Sequence, residues 1–340
     1  MKEDWTIIDK VLTRLFPSGN WSVQTGASGM NNTTRFVTAQ GQPYVFRIYE
    51  THQDASKVKY EHSILLALQE ISLPFRIPKP VRTPEGNTIL RLEDGKLAAL
   101  FHFVEGVNPT LEELPQLYSF GRTTGQLTCA LEKITLDLEP TYRPYYEIEN
   151  THPLCPPQAV IHFCTNPPPE FREQGPALLL IGQQFARFQE VVPKLKQLPH
   201  QLVHGDLNAS NVLADAEGMI STVLDFEFIT KDLRVMELAV CLSDLITAVN
   251  EEDLLWAKVE AFLAGYGSVL KLTPDEINAL PYLVQLRRLD VFVHFLGRFW
   301  DGVDEVHIVK DQIDKTVSRA YWLSSNGEKL NRLCRQYIAK

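Results

Sequence analysis

One stretch constrains this chain more than any other: Leu202-Val203-His204-Gly205-Asp206-Leu207-Asn208-Ala209-Ser210-Asn211-Val212-Leu213, followed by Val223-Leu224-Asp225-Phe226-Glu227-Phe228. The apolar runs at 202–203, 212–213 and 222–224 read as short β-strands, which leaves the polar residues on the loops between and just after them. The stretch supplies a carboxylate at Asp206, a carboxamide five residues on at Asn211, and a second carboxylate at Asp225. That set suits phosphoryl transfer. Asp206 would orient the attacking hydroxyl as base, while Asn211 and Asp225 would hold the magnesium that neutralises charge on the β and γ phosphates. The competing reading is an Asx-rich hairpin turn, since Asp, Asn and Gly favour turns through local hydrogen bonds. The joint spacing of the three groups favours the first.

His204-Gly205-Asp206-x4-Asn211 followed by Leu224-Asp225-Phe226-Glu227 resembles the aminoglycoside phosphotransferase and choline kinase family, small-molecule kinases with a protein-kinase-like fold. The resemblance implies an α+β, bilobal chain: a small N-terminal nucleotide-binding lobe (residues 1–104), built on an antiparallel sheet with one paired helix, and a larger, mainly helical lobe (105–340) for catalysis and acceptor binding. It also implies ATP and Mg2+ as cofactors and a small-molecule hydroxyl acceptor.

Length and composition bound the alternatives. At 340 residues and 44% hydrophobic content the chain exceeds one ordinary core and suggests two lobes. A net charge of −9 and a pI near 5.5 disfavour nucleic acid or an anionic membrane as the main partner, and neither is expected. The five cysteines are odd in number and widely spaced, with no Cys-x2-Cys pair, so neither a disulfide framework nor a zinc site is indicated and a cytoplasmic location fits. Met1-Lys2-Glu3-Asp4-Trp5 lacks the basic and apolar segments of a signal peptide, and no apolar run approaches the roughly 18 residues of a membrane span.

Apolar residues from Trp5 to Leu15 repeat at helical spacing, and strands are predicted at 21–25, 34–37 and 44–49. The Gly26-Ala27-Ser28-Gly29-Met30-Asn31-Asn32 segment joining the first two strands lets backbone amides at Ser28 and Gly29 approach phosphate, although a Gly-Asn hairpin turn explains it equally well. Arg47 sits among Val45, Phe46 and Ile48 in the third strand, where a cation either snorkels outward or meets an anion. Kinases place a phosphate-gripping cation there, paired with a helix glutamate, and Glu61 in the following amphipathic helix (55–68) matches that residue in the resemblance. Strands at 88–92 and 97–103 end in Val104-Glu105-Gly106, which looks like the family's hinge; Phe101 and Phe103 are its adenine-side candidates.

A long helix from 111 to 131 carries Gly121 and Gly125, which imply close approach of another segment. Residues 135–176 hold nine of the 21 prolines, so they form either an insertion near the acceptor pocket or a passive surface excursion; long irregular loops in compact domains favour the former. About a dozen residues separate Asp225 from the helix starting at Glu237, too few for the segment on which protein kinases dock peptides. The family usually has Asp-Leu-Ala there, whereas this chain has Glu237-Leu238-Ala239. Glu227, in place of the glycine of Asp-Phe-Gly, would touch magnesium or merely cap a neighbour. The remainder reads as helices at 253–265, 274–300 and 303–340, with Pro281 kinking or restarting the second. Patches such as Arg287-Arg288-Leu289 to Arg298-Phe299-Trp300-Asp301 resemble type II homoserine kinases. Arg298 would bind an acceptor carboxylate or, as favoured, pair with Asp301 or another acid. A homoserine-like acceptor is the first expectation; aminoglycoside, choline-like and sugar acceptors, or a non-catalytic binding role, are the alternatives.

Overall fold

Gln40 and Gly41 both take positive φ, 53° and 75°, and this two-residue turn joins strands β2 and β3 with the twist a hairpin needs. The structure, a computed structural model, describes residues 2–26, 32–50, 54–246 and 252–340, with only the backbone of residues 2–7. In chain order, helix α1 (Lys2–Leu15) leads into β1 (Trp21–Thr25), β2 (Asn32–Ala39) and β3 (Gln42–Tyr49), then α2 (Ala55–Gln69), β4 (Lys79–Pro80), β5 (Leu90–Arg91) and β6 (Leu97–His102). The strands form one antiparallel sheet in the order β1-β2-β3-β6-β4, with β5 also on β6. Register gives each face its job. Phe46, Ile48, Ala98 and Leu100 pack under Ile8, Leu12 and Phe16 of α1 and its C-terminal turn. The alternating positions Thr34, Arg47 and Ala99, with Phe36, Val45 and Phe101, lie cross-strand from one another on the opposite face.

The second half is helical: α3 (Leu114–Leu131), α4 (Pro157–Thr165), α5 (Gly175–Leu195), α6 (Met236–Leu245), α7 (Glu252–Gly267), α8 (Pro274–Trp300) and α9 (Val306–Ile338), with two hairpin-like pairs between α5 and α6. Strand β7 (His200–Val203) pairs with β10 (Thr230–Leu233), and β8 (Val212–Ala214) with β9 (Ile220–Val223). Helices α3 and α7 meet through glycines: a Cβ on Gly121 would strike the Phe262 carbonyl, and one on Gly265 the Tyr118 carbonyl. Helix α8 opens with a Thr273/Glu276 capping box, and it runs unbroken through Pro281. Glu276 doubles as the buried partner of Arg234, at 2.9 and 2.7 Å.

Residues 135–176 contain α4 and two 3-10 turns, Ile148–Asn150 and Pro169–Gln174. Strand β10 was not expected; its Thr-Lys-Asp-Leu sequence carries no apolar alternation, and pairing with β7 makes it a strand. Arg76, between α2 and β4, bonds Ser221 and Val223 through its backbone (2.8 and 2.9 Å) and ties the sheet-bearing part to β9, while Val107, beyond the end of β6, bonds Ala214 of β8 (3.1 and 2.8 Å). Among the described residues no helix is long and apolar enough to cross a membrane.

Candidate active site

The loop leaving β7 turns at Gly205, whose φ of +80° suits glycine. His204 is its brace. Its ring stacks edge-on to Phe226, Nε2 meets the Leu224 carbonyl at 2.8 Å, and Nδ1 therefore accepts the Asp206 amide. The His204 amide donates to Glu237 Oε2 at 2.5 Å, so glutamate reaches the loop where the family more often has aspartate. Burial raises the Glu237 carboxyl, opposed by His204 and the amides of His204 and Gly205.

Asn211 donates Nδ2 to the Asp206 carbonyl (2.8 Å) and to Asp206 Oδ2 (3.0 Å), and its own carbonyl accepts the Leu224 amide at 2.8 Å. The three motif segments are thus one hydrogen-bonded unit. Asp225 holds φ at +59°, a strained setting for a residue other than glycine, and its Oδ1 is buried without a hydrogen-bond partner among the described residues. An oxygen left in that condition is suited to a cation. Among the described residues no group of three or more His, Cys, Asp or Glu could cage a metal. Glu227 is buried and accepts from Asn32 Nδ2 at 2.7 Å, across the cleft.

Arg47 Nη1 lies 3.3 Å from Glu61 and 3.7 Å from Asp225. Burial alone would depress the guanidinium, but Glu61, Asp225, Tyr49 and Glu227 more than offset it and the net shift is upward. Burial pushes Glu61 up to about 7, resisted by Arg47 and reinforced by Asp225 and Glu227. Phe101 is buried beneath Arg47 and beside His62, whereas Phe103 is exposed and meets Phe36 edge to face at 5.9 Å. Ser28 and Gly29 lie outside the described residues.

On the other side of Asp206 stands Arg287 of α8, with Nη2 2.5 Å from Asp206 Oδ1. Its Nη1 donates to the Tyr145 hydroxyl at 2.8 Å, and that hydroxyl donates to the Gly205 carbonyl at 2.6 Å. Asp290, held by Thr151 at 2.7 Å, flanks Arg287 at 3.5 Å. A pocket of about 210 Å³ opens here, lined by Asp206, Asn208, Asp244, Arg287, Arg288 and Lys315 among others.

The sequence profile of a phosphotransferase enzyme family (APH) matches residues 22–272, most of the chain. The chain belongs to this family. The phosphotransferase is 28% identical over 284 residues to a homoserine kinase of Polaromonas naphthalenivorans (strain CJ2), covering 82% of each chain. It is 24% identical over 303 residues to one of Zymomonas mobilis subsp. mobilis, covering 86% of each. Its fold is similar to a microcompartment-associated aminopropanol kinase (TM-score 0.69, 19% identity, 96% of this chain and 100% of the other). It is also similar to an amicoumacin kinase solved with AMP-PNP, Ca2+ and amicoumacin (TM-score 0.69, 16% identity, 93% and 94% covered). The expected bilobal kinase-like α+β fold is the observed one, and the protein is a small-molecule kinase acting on a hydroxyl acceptor.

Two site residues of this phosphotransferase were missed from sequence. Arg287 lies in an apolar helical run between Leu286 and Leu289, where arginines read as surface charges; the adjacent pair Arg287-Arg288 within that run was the available signal. Tyr145 belongs to the proline-rich segment, which is thereby placed against the catalytic loop. Arg298 is structural, as favoured, but its partner is Asp304, in two bonds of 2.6 and 2.9 Å, while Asp301 pairs with His152 at 3.2 Å.

Proposed function

We propose that this phosphotransferase is a cytoplasmic, ATP- and Mg2+-dependent kinase of a small hydroxylated amino acid, with homoserine as the first candidate. One observation carries the choice: the pocket beside Asp206 sets Arg287, Arg288 and Lys315 against Asp206 and Asp244, a charge pattern complementary to a zwitterion. The curated homoserine kinases at 24–28% identity support the same acceptor. Five free cysteines, four of them buried, support a reducing compartment.

Nucleotide would lie between a sheet lobe (1–104) and a helical lobe (105–340), with its base near Phe103 and Phe101 and its phosphates against Arg47, held by Glu61. Magnesium held by Asn211 and Asp225, with Glu227 adjoining, would neutralise charge on the β and γ phosphates. Asp206 accepts the proton of the acceptor hydroxyl as its oxygen bonds to the γ-phosphorus and the bond to the ADP leaving oxygen breaks. Catalysis is then mostly positioning and charge neutralisation.

The test is ADP release from Mg-ATP across homoserine, choline, ethanolamine, aminoglycosides and simple sugars, with Asp206→Ala alongside. Homoserine-stimulated release that the substitution abolishes is expected. Stimulation by a different acceptor alone would replace homoserine, and absence of nucleotide binding would sink the kinase mechanism.

A further inference from the structure

Both oxygens of the proposed base are already occupied. Arg287 Nη2 holds Asp206 Oδ1 at 2.5 Å, and Asn211 Nδ2 holds Oδ2 at 3.0 Å. A hydroxyl or water arriving there has to share an oxygen with the donor already on it, and at Oδ1 that donor is a cation. The Asn211 contact belongs to the loop's own framework, since the same nitrogen also binds the Asp206 carbonyl. The Arg287 contact comes from another element, 81 residues away.

The surroundings of Arg287 suit a side chain with two positions. Its second nitrogen rests on the Tyr145 hydroxyl at 2.8 Å and near Asp290 at 3.5 Å, and its guanidinium lies 5.4 Å from the Tyr145 ring centre, so it stays anchored when Nη2 changes partner. The cations here stand close together, although Lys315 is paired with Asp311 at 2.6 Å. Arg288 Nε is buried without a hydrogen-bond partner among the described residues, although Nη2 reaches Gln312 at 2.8 Å. Burial, followed by repulsion from Arg287, lowers Arg288 to about 10, and burial, followed by Arg288, lowers the nearby Arg319 to about 9. A bound carboxylate relieves this crowding and offers Arg287 a planar partner matched to its fork.

We infer that Arg287 selects acceptors bearing a carboxylate by holding Asp206 closed until that carboxylate draws it away. The inference rests on the amino-acid acceptor proposed above. An amino alcohol of the same length fits the pocket but leaves Arg287 on Asp206, and water alone does likewise. Hydrolysis of ATP is therefore suppressed until the proper acceptor arrives. In that side reaction water oxygen bonds to the γ-phosphorus, the bond to ADP breaks, and the water proton passes to Asp206, so the same closed base limits it.

The experiment compares homoserine with 3-aminopropan-1-ol, which lacks only the carboxylate, and adds 2-aminobutyrate, which lacks only the hydroxyl. In the wild type, homoserine is preferred over the amino alcohol, and 2-aminobutyrate raises ATP hydrolysis roughly tenfold while propylamine does not. In Arg287→Met, hydrolysis without acceptor rises, kcat/KM for homoserine falls on the order of 100-fold, and that for 3-aminopropan-1-ol does not fall. Equal loss with both acceptors and no rise in hydrolysis would make Arg287 a static support and overturn the inference. So would a wild type that uses the two acceptors equally well. The 2-aminobutyrate measurement needs no variant and stands even where Arg287→Met does not fold. If the wild type phosphorylates neither compound, the homoserine reading fails separately. Acceptor-free hydrolysis then decides the hold on Asp206: a rise in Arg287→Met that Asp206→Ala abolishes supports it, and no rise overturns it.

Discussion

Tyr145 donates its hydroxyl proton to the carbonyl oxygen of Gly205 over 2.6 Å, joining the proline-rich segment to the catalytic loop across 60 residues of sequence. The Tyr145 hydroxyl oxygen itself accepts from Arg287 at 2.8 Å, and the Tyr145 amide donates to Asp232 at 2.7 Å. Tyr145→Phe keeps the ring and removes both hydroxyl bonds, leaving a buried carbonyl short of a donor. Stability should drop by about 1–2 kcal/mol, and kcat should fall more than KM for ATP rises, because the loop and not the nucleotide site is loosened. Thermal melts and steady-state kinetics of the variant check both.

Glu61 sets a pH dependence with a definite sign. Burial raises its carboxyl from 4.5 to about 7 in the fold, so the neutral form is the favoured one there. Its contribution to stability is complete below about pH 4.5 and is lost as pH rises through about 7. Relative to Glu61→Gln, the wild type should lose stability over that window, by on the order of 1.4 kcal/mol per pH unit at most. Activity runs the other way, since the full ion pair with Arg47 needs the carboxylate. Melting curves and kcat/KM for ATP from pH 5 to 8 would display opposite slopes; a pH-independent stability difference counts against the assignment.

Asp225 trades stability for chemistry. Its φ of +59° is unfavourable in the folded chain, and its buried Oδ1 has no hydrogen bond, only the Arg47 guanidinium at 3.7 Å. Asp225→Gly should hold or raise stability, by about 1 kcal/mol, while lowering kcat on the order of 10²–10³-fold and abolishing the response to added magnesium. A destabilised variant that retained magnesium-dependent turnover would contradict this.

Gly121 has no part in the chemistry and cannot be enlarged. A methyl group there enters the Phe262 carbonyl, which belongs to helix backbone and cannot rotate aside. Gly121→Ala should cost about 3 kcal/mol, with kcat per folded molecule unchanged, as measured by denaturant unfolding and active-site-normalised rates.

Much of this was legible because short-range chemistry fixed it. The run from Leu202 to Phe228 carries strands, turns and the three polar groups within one segment, and the structure joins them by bonds such as Asn211 to Asp206. Arg47 and Glu61 were found because strand, helix and order agreed. Gly121 and Gly125 announced the close helix contact. What escaped depends on distant partners: β10 exists through pairing with β7, and Arg287 and Tyr145 gain meaning only where α8 and the proline-rich segment converge on Gly205 and Asp206. Ser28 and Gly29 fall outside the described residues.

The backbone bridge at Arg76 has a mechanical consequence. Its amide and its carbonyl both bond β9, so at that edge the sheet-bearing part is fastened to the rest by main chain, whereas Arg47 to Asp225 and Asn32 to Glu227 fasten it by side chains. A substitution can undo the second kind of fastening but not the first.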